Sequence, residues 1–204
     1  MLIARRPEHG QPIVRAAWCF IEFFFEAFRL IHVSHDDFSR IRGSVIVANH
    51  PSLIDVLLLT VFIPRTIYVA KHKLKSNPFL AAIVVSTALD DNAELPATAA
   101  KLLKAGWNVV IFPEGTRTPA NSQLGPLRRG AAHIALEARA PIEVMRIDFA
   151  HRVLGKGQPI TDVGKETISV SIRSLARLSP DEMTDRSRAA AITLTKKIAE
   201  LLSR

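Results

Sequence analysis

Residues 44–55 read SVIVANHPSLID, in which a short β-branched run passes directly into polar residues and a proline. Val45, Ile46 and Val47 carry the side chains that favour a pleated strand. The run is apolar without alternation, which is typical of a strand covered on both faces in a parallel sheet. Pro51 favours the first turn of a helix and cannot continue a strand. The stretch therefore predicts a strand, a turn and a helix in immediate succession.

Similar runs recur along the chain, separated by segments of helical length. The further predicted strands are 66–70, 108–112, 142–147 and 167–172, and the predicted helices are 51–62, 77–85, 96–105, 130–139 and a charged amphipathic tail over 180–204. Strands that alternate with helices indicate a parallel sheet covered on both faces. We therefore predict an α/β fold with a mostly parallel central sheet flanked by helices. One domain would comprise residues 43–204, preceded by an N-terminal amphipathic helical extension over residues 1–42.

The N-terminal extension contains the most hydrophobic segment, residues 13–31, which is long enough to span a bilayer as a helix. Four charged residues interrupt it: Arg15, Glu22, Glu26 and Arg29. Each charge near the centre of a span costs about 2.5–3.5 kcal/mol. Because seven aromatic residues lie between Trp18 and Phe38, a helix lying in the membrane interface fits better than one that crosses it. We predict peripheral or monotopic association with the cytoplasmic face of a membrane; a core helix of a soluble domain is the alternative.

The composition restricts the classes of partner. The chain has 204 residues with 27 Lys and Arg against 19 Asp and Glu, a net charge of +8 that suits phosphate groups, acidic lipid or nucleic acid. Nucleic acid is disfavoured, because the aromatic residues cluster in apolar surroundings and do not alternate with basic ones. Cys19 is the single cysteine, which excludes a disulfide framework and a Cys-based zinc site. We expect its thiol to be buried and inert.

The first polar cluster at a predicted strand end contains His50 and Asp55. Active sites of open α/β sheets lie at the carboxyl ends of strands. Pro51 keeps His50 out of helical conformation, so the His50 ring can turn back towards the Asp55 carboxylate. A carboxylate that holds one ring nitrogen leaves the other available as a general base. A helix cap beside a solvated Asp55 is the alternative, because this spacing alone is common.

The second polar cluster follows the predicted strand 108–112 and reads FPEGTRT over residues 112–118. A strand that runs into Pro–Glu–Gly cannot continue, and Gly115 lets backbone amides approach a ligand closely. Arg117 offers a guanidinium fork that suits phosphate, with the Thr116 hydroxyl beside it. An ordinary turn with an exposed arginine is the alternative.

Taken together, the two clusters resemble the NHxSxxD and FPEGTR blocks of the glycerolipid (lysophospholipid) acyltransferase family. His50 and Glu114 are 64 residues apart, and the resemblance covers about residues 44–147, including a basic–Gly–Ala stretch over 127–135. It implies an α/β fold, membrane association, and transfer of a fatty acyl group from coenzyme A or acyl carrier protein to a hydroxyl. No metal or further cofactor is expected. A lysophospholipid acceptor, 1-acylglycerol 3-phosphate by default, is implied.

The resemblance also assigns roles to individual residues. It implies that His50 is the base and that Asp55 is its orienting partner. The residues that it implies for binding the acceptor's phosphate or polar head are Glu114, Gly115, Thr116 and Arg117.

Two departures from the family pattern leave the acceptor open. A Gly–hydrophobic–Arg element is expected between the blocks, but residues 85–92 contain no arginine, and Glu143 stands where a second proline is expected. A less anionic acceptor, such as a lyso-lipid with an amine or a hydroxylated precursor, is therefore an alternative. The charged residues Lys71, Lys73 and Lys75 are candidates for contact with a phosphorylated donor or anionic lipid, or form a solvated charge run.

Other reaction classes fit less well. A serine hydrolase built on a His–Asp pair would need a G-x-S-x-G elbow, and the sequence has none. An acyltransferase acting on a different lipid or a secondary metabolite is the closer alternative.

Overall fold

The computed structural model describes residues 7–70, 88–119, 124–159, 166–179 and 187–203. Its strands are β1 (Ile31–His35), β2 (Val45–Ala48), β3 (Thr66–Ala70), β4 (Ala88–Asp90), β5 (Asn108–Ile111), β6 (Ile142–Phe149) and β7 (Ile168–Leu178). Its helices are α1 (Pro7–Ala27), α2 (Asp55–Phe62), α3 (Leu95–Lys104), α4 (Gly130–Ala138) and α5 (Arg188–Leu202). The predicted helix 77–85 and the charged residues Lys71, Lys73 and Lys75 lie outside the described residues.

The strands form one sheet in the order β1-β7-β6-β2-β5-β3-β4. β6, β2, β5, β3 and β4 are mutually parallel. β7 runs antiparallel to β6. β1 pairs in parallel with the other side of β7 and forms the edge of the sheet. The prediction of a mostly parallel sheet flanked by helices is confirmed.

β1 and β4 are strands that the sequence analysis did not predict. β1 lies within residues 1–42, the segment assigned to the extension, so the sheet begins before residue 43. Only Ile31 and Val33 of β1 are buried, whereas the intervening His32 is exposed. A half-buried edge strand with two apolar residues gives too short a pattern to be distinguished from a loop. β4 is only three residues long.

Two predicted helices begin at different residues in the structure. α2 begins at Asp55, four residues after Pro51, because the Asp55 side chain accepts a hydrogen bond from the Ser52 backbone N–H at 2.8 Å and holds residues 52–54 in a turn. The C-terminal helix begins at Arg188, and Ser187 caps it by accepting from the Ala190 N–H.

The sheet has an apolar core on each face. Val45 and Val47 of β2 pack on one face against α3, α4 and α5. Ile46 and Ala48 pack on the other face against α2 and Phe38. Because successive strand side chains point to opposite faces, an unbroken apolar run is what a strand covered on both faces requires.

Helix α1 packs on α2 and leaves a phenylalanine-rich side in solvent. Its inner side is held by Arg15, whose Nη2 donates to the Val61 carbonyl at 2.8 Å. On its outer side Phe20, Phe23 and Phe28 are 69%, 67% and 62% exposed. Across the described part of the chain, no helix combines the length and the hydropathy needed to cross a membrane. Cys19, expected to be buried, is only partly buried because α1 is covered on one side alone.

Asn108 joins three segments at the amino end of β5. Its Oδ1 accepts from the Ser44 N–H at 3.1 Å, and its Nδ2 donates to the carbonyls of Ile41 and Pro64, both at 2.9 Å. Asn108 is completely buried. A buried backbone group that loses its partner costs about 1–3 kcal/mol, so this side chain stabilises the entry to β2, β3 and β5 together.

We predict that Asn108→Ala lowers the free energy of unfolding by about 2–4 kcal/mol, because one buried backbone N–H and two partly buried carbonyls lose their partner. Urea unfolding followed by circular dichroism measures the change. Asn92→Ala is the matched control: the Asn92 side chain also accepts a backbone N–H, from Glu94, but on an exposed turn. It should cost less than about 0.5 kcal/mol. Equal midpoints for the Asn108→Ala and parent proteins would contradict the prediction.

Candidate active site

The two polar clusters meet because β2 and β5 are neighbours at the centre of the sheet. They pair in parallel with Val47 opposite Ile111, so both strands end at the same edge. His50 follows β2 and Phe112 follows β5, and their rings stack with centroids 4.1 Å apart and an interplanar angle of 17°. The carboxyl edge of the sheet therefore carries both motifs at one place.

His50 and Asp55 form a direct side-chain pair. His50 Nδ1 and Asp55 Oδ2 are 2.9 Å apart, and the same oxygen accepts from the Ser52 N–H at 2.8 Å. Since an ionised carboxylate only accepts hydrogen bonds, the ring nitrogen facing it carries the proton. This tautomer leaves Nε2 of His50 with its lone pair. The sequence expectation that the ring turns back towards Asp55 agrees with this geometry.

Burial raises the pKa of the Asp55 carboxyl above its ordinary value of 3.8. Asp55 has no exposed surface, and burial penalises its charged form. The hydrogen bond and charge of His50, the Ser52 N–H and the charge of Arg117 act in the opposite direction. The contacts that favour the charged carboxylate therefore offset only part of the cost of its burial.

Asn49 fixes the end of β2 to β6. Its Nδ2 donates to the Ile147 carbonyl and its Oδ1 accepts from the Ile147 N–H, both at 2.8 Å. The last residue of β2 that pairs with β6 is Ala48. The side-chain amide of Asn49 therefore extends the contact between the two segments by one residue beyond the strand. The residue before His50 is therefore immobilised by a backbone contact that the sequence analysis did not identify.

Glu114 lies inside the fold, not on its surface. It is only 7% exposed, and both carboxylate oxygens are used: Oε1 accepts from the Thr118 hydroxyl at 2.7 Å and Oε2 from the Gly125 N–H at 3.2 Å. Thr118 in turn contacts the His50 backbone: its Oγ1 accepts from the His50 N–H at 3.1 Å, and its N–H donates to the His50 carbonyl at 2.6 Å. Thr118 was not among the residues predicted for the site.

The other residues of the second cluster have separate surroundings. Gly115 has a φ of +66°, a left-handed conformation that favours glycine. Thr116 is exposed. Arg117 is partly buried, and its Nη1 donates to the carbonyls of Leu154 and Gly155 at 2.8 and 2.9 Å.

A third segment, the loop after β6, completes the site and was missed from the sequence. Leu154 accepts both from Arg117 and from the Leu53 N–H at 3.2 Å, so the loop is bonded to both motifs. A cavity of about 330 Å³ opens between this loop and the residues that flank His50, and Asn49, Pro51 and Thr118 line it. The available signal was the pair of glycines at 155 and 157, which marks a turn but no chemistry.

The two departures from the family pattern have local explanations. Glu143 is 4% exposed and forms an ion pair with Arg177, which lies opposite it on β7. Asn92 is exposed and accepts from the Glu94 N–H at 3.0 Å, at the turn that leads into α3. Of residues 85–92, those from 85 to 87 lie outside the described residues.

Within the described ranges no three His, Cys, Asp or Glu side chains are arranged to hold a metal ion.

The chain is similar to several known proteins. A family model described as Acyltransferase matches residues 30–148. The chain is 32% identical over 169 residues to a 1-acyl-sn-glycerol-3-phosphate acyltransferase of Bacillus subtilis (strain 168), covering 78% of this chain and 81% of that protein. It is 31% identical over 134 residues to a protein of the same name from Cocos nucifera, covering 59% of this chain and 42% of that protein.

A solved structure shows the same fold. The 1-acyl-sn-glycerophosphate (LPA) acyltransferase of Thermotoga maritima superimposes with a TM-score of 0.66 at 18% identity, covering 98% of this chain and 83% of that chain. Some relatives are longer: the match to the Mus musculus 1-acyl-sn-glycerol-3-phosphate acyltransferase alpha, at 28% identity, covers 76% of this chain and 59% of that protein.

We predict that the stability contributed by Asp55 falls as pH rises. A carboxyl with a raised pKa binds protons more readily in the folded chain, so folding stability is lost as pH rises from the ordinary value of 3.8 through the raised one. The free energy of unfolding of Asp55→Asn should therefore increase relative to the parent protein between about pH 4 and pH 7. Urea titrations across this range measure the difference.

Asp37→Asn is the control of opposite sign. Hydrogen bonds from Ser39 lower the pKa of the exposed Asp37 carboxyl. The stability that Asp37 contributes is lost as pH falls from the ordinary value of 3.8 through the lowered one, so Asp37→Asn should lose stability relative to the parent protein as pH rises towards about 4. Urea titrations extended below about pH 4 measure this change. A pH-independent difference for Asp55→Asn would contradict the prediction.

Proposed function

This chain belongs to the acyltransferase family, and on that basis we propose that it moves a fatty acyl group from a thioester donor to a hydroxyl of a lysophospholipid-type acceptor. The donor is acyl-CoA or acyl carrier protein, and the default acceptor is 1-acylglycerol 3-phosphate. The observation that carries the proposal is the 2.9 Å contact of His50 Nδ1 with buried Asp55, which directs Nε2 away from the carboxylate. Nε2 is then available to act as a base on a hydroxyl.

In the proposed reaction His50 acts first as a general base and then as a general acid. His50 Nε2 accepts the proton of the acceptor hydroxyl while its oxygen attacks the thioester carbonyl carbon. The tetrahedral intermediate collapses, the carbon–sulfur bond breaks, and the imidazolium returns the proton to the departing thiolate. The products are an ester and a free thiol. Asp55 stabilises the imidazolium by its charge and holds the ring in one tautomer.

Rate enhancement in this proposal comes from positioning as much as from the base. Two substrates must be aligned against one nitrogen, and well-oriented groups gain about 7–11 kcal/mol over a bimolecular encounter in solution. Phe112 stacks on the His50 ring, and the neighbouring Asn49 is hydrogen-bonded to the backbone of Ile147. These contacts support the proposal that the ring is already positioned before the reaction and does not need to reorganise. The mechanism requires no group beyond the two substrates and the protein.

The identity of the acceptor rests on the relatives and on Arg117. The Bacillus subtilis and Cocos nucifera proteins are named for 1-acyl-sn-glycerol-3-phosphate, whose phosphate a guanidinium would bind. Arg117 is oriented by the carbonyls of Leu154 and Gly155, which use its Nη1. Because no second arginine occurs in residues 85–92, an acceptor with an amine or hydroxyl headgroup is the alternative.

Membrane association through α1 is the second part of the proposal. Eight of the nine exposed large hydrophobic side chains among the described residues lie between residues 13 and 30. Contiguous exposed apolar surface of this kind is typical of an interaction site, and the net charge of +8 favours an anionic lipid surface. A helix resting on the membrane would bring the lipid acceptor and the enzyme to the same interface.

We predict that His50→Ala lowers kcat by at least about 100-fold, because the base is lost, and that Asp55→Asn has nearly the same effect through the tautomer and orientation of the ring. Release of free thiol from acyl-CoA and from acyl carrier protein, with a panel of lyso-acceptors, measures the rate. His32→Ala is the control, since His32 is exposed on β1. Full turnover by folded His50→Ala protein would overturn the assignment.

We predict that the combined substitutions Phe20→Ser, Phe23→Ser and Phe28→Ser release the protein from anionic phospholipid vesicles. Each replaces a largely exposed ring, so the fold should persist while the apolar surface available to lipid is lost. Co-flotation with vesicles measures the bound fraction, and Ile192→Ser on α5 is the control. Undiminished flotation of the triple variant would exclude α1 as the membrane contact. Substitution is preferable to deletion of residues 1–33, which would remove part of β1.

A further inference from the structure

We propose that Thr118, oriented by Glu114, is a positioning residue for His50 and that Glu114 serves this purpose instead of contacting the acceptor. The inference rests on the proposed function, in which His50 is the base. It assigns a role to Thr118, which lies just after the FPEGTR block, and changes the role that the resemblance implies for Glu114.

The sheet itself does not hold His50. The pairing of β2 with β5 ends at Val47, and its pairing with β6 ends at Ala48, two residues before His50. Pro51, the next residue, has no N–H to donate. Both backbone groups of His50 are nevertheless bonded, and both to Thr118: the His50 N–H to Oγ1 at 3.1 Å and the His50 carbonyl to the Thr118 N–H at 2.6 Å. One residue therefore takes the place of a partner strand.

The hydroxyl of Thr118 can accept from His50 because Glu114 takes its proton. A hydroxyl has one proton and two lone pairs, whereas an ionised carboxylate only accepts. The 2.7 Å contact between Thr118 Oγ1 and Glu114 Oε1 therefore uses the hydroxyl proton and leaves a lone pair for the His50 N–H. A hydrogen bond to an ionised group is about twice as strong as one between neutral groups, so this orientation of the hydroxyl is strongly preferred.

Glu114 is itself fixed from a second direction. Its Oε2 accepts from the Gly125 N–H at 3.2 Å, so the carboxylate bridges two parts of the loop between β5 and α4. Because Glu114 is 7% exposed and each oxygen already has a partner, its observed contacts belong to the scaffold. The arrangement is continuous: Gly125 holds Glu114, Glu114 orients Thr118, and Thr118 holds the backbone of His50.

This backbone anchor complements the two contacts to the ring. Asp55 holds Nδ1, and Phe112 covers one ring face at a centroid distance of 4.1 Å. Neither contact fixes the peptide from which the ring projects. A displacement of about 1 Å in a catalytic group can cost about 100-fold in rate, so loss of the backbone anchor should act on turnover more than on substrate binding.

The test is Thr118→Val, which is nearly isosteric and keeps the backbone N–H to His50 but removes the hydroxyl. We expect kcat to fall about 10- to 100-fold, with KM for both substrates within about twofold, and Thr118→Ser to restore most of the activity because it keeps the hydroxyl. Glu114→Gln should lower kcat in the same direction by a smaller factor. The ¹⁵N resonances of the imidazole should show a second ring environment in Thr118→Val.

Thr66→Val is the matched control, because the buried Thr66 hydroxyl bonds the Ile63 carbonyl at 2.7 Å at the opposite end of the sheet. It should lower stability like Thr118→Val but leave kcat unchanged. Wild-type kcat in folded Thr118→Val, or a raised acceptor KM with unchanged kcat in Glu114→Gln, would overturn the inference. His50→Ala separates the two proposals: if it is inactive while Thr118→Val is fully active, only the positioning role fails, whereas an active His50→Ala refutes the proposed function.

Discussion

The burial of Asp55 is the constraint on which the site depends. A carboxylate without water must obtain its stabilisation from the protein, and Asp55 obtains it from the His50 ring and the Ser52 N–H. These same contacts set where α2 begins, since residues 52–54 turn around the carboxylate before the helix starts at Asp55. The orientation of the imidazole and the start of the helix thus have one cause.

The central position of β2 lets both neighbouring strands support that pair. β5 contributes the ring of Phe112 and the loop that carries Glu114 and Thr118, while β6 receives the side-chain amide of Asn49. In a parallel sheet the strand ends face one edge, and residues far apart in sequence converge there. The rigidity of the site follows from this convergence, because His50 is held through its neighbour, its backbone and its ring.

The two sides of α1 have different surroundings. The side that carries Arg15 is bonded to α2, whereas Phe20, Phe23 and Phe28 on the other side are largely exposed. Such surface costs solubility unless a partner covers it. The net positive charge and the lipid nature of the proposed acceptor are the basis on which we propose a membrane surface as this partner.

The amino-acid sequence was sufficient to predict the α/β class, the strands at the centre of the sheet, and the two motifs, with His50 and Asp55 as a candidate pair. Continuous apolar runs and the Pro51 break are local signals, and they persist whatever the neighbours are. The tertiary structure alone decided that β1 joins the sheet, that β7 runs antiparallel, and that Glu114 faces inward to Thr118. Edge strands and buried hydrogen bonds depend on which segments meet across many residues, and a side chain such as Thr118, 68 positions from His50, carries no local sign of its partner.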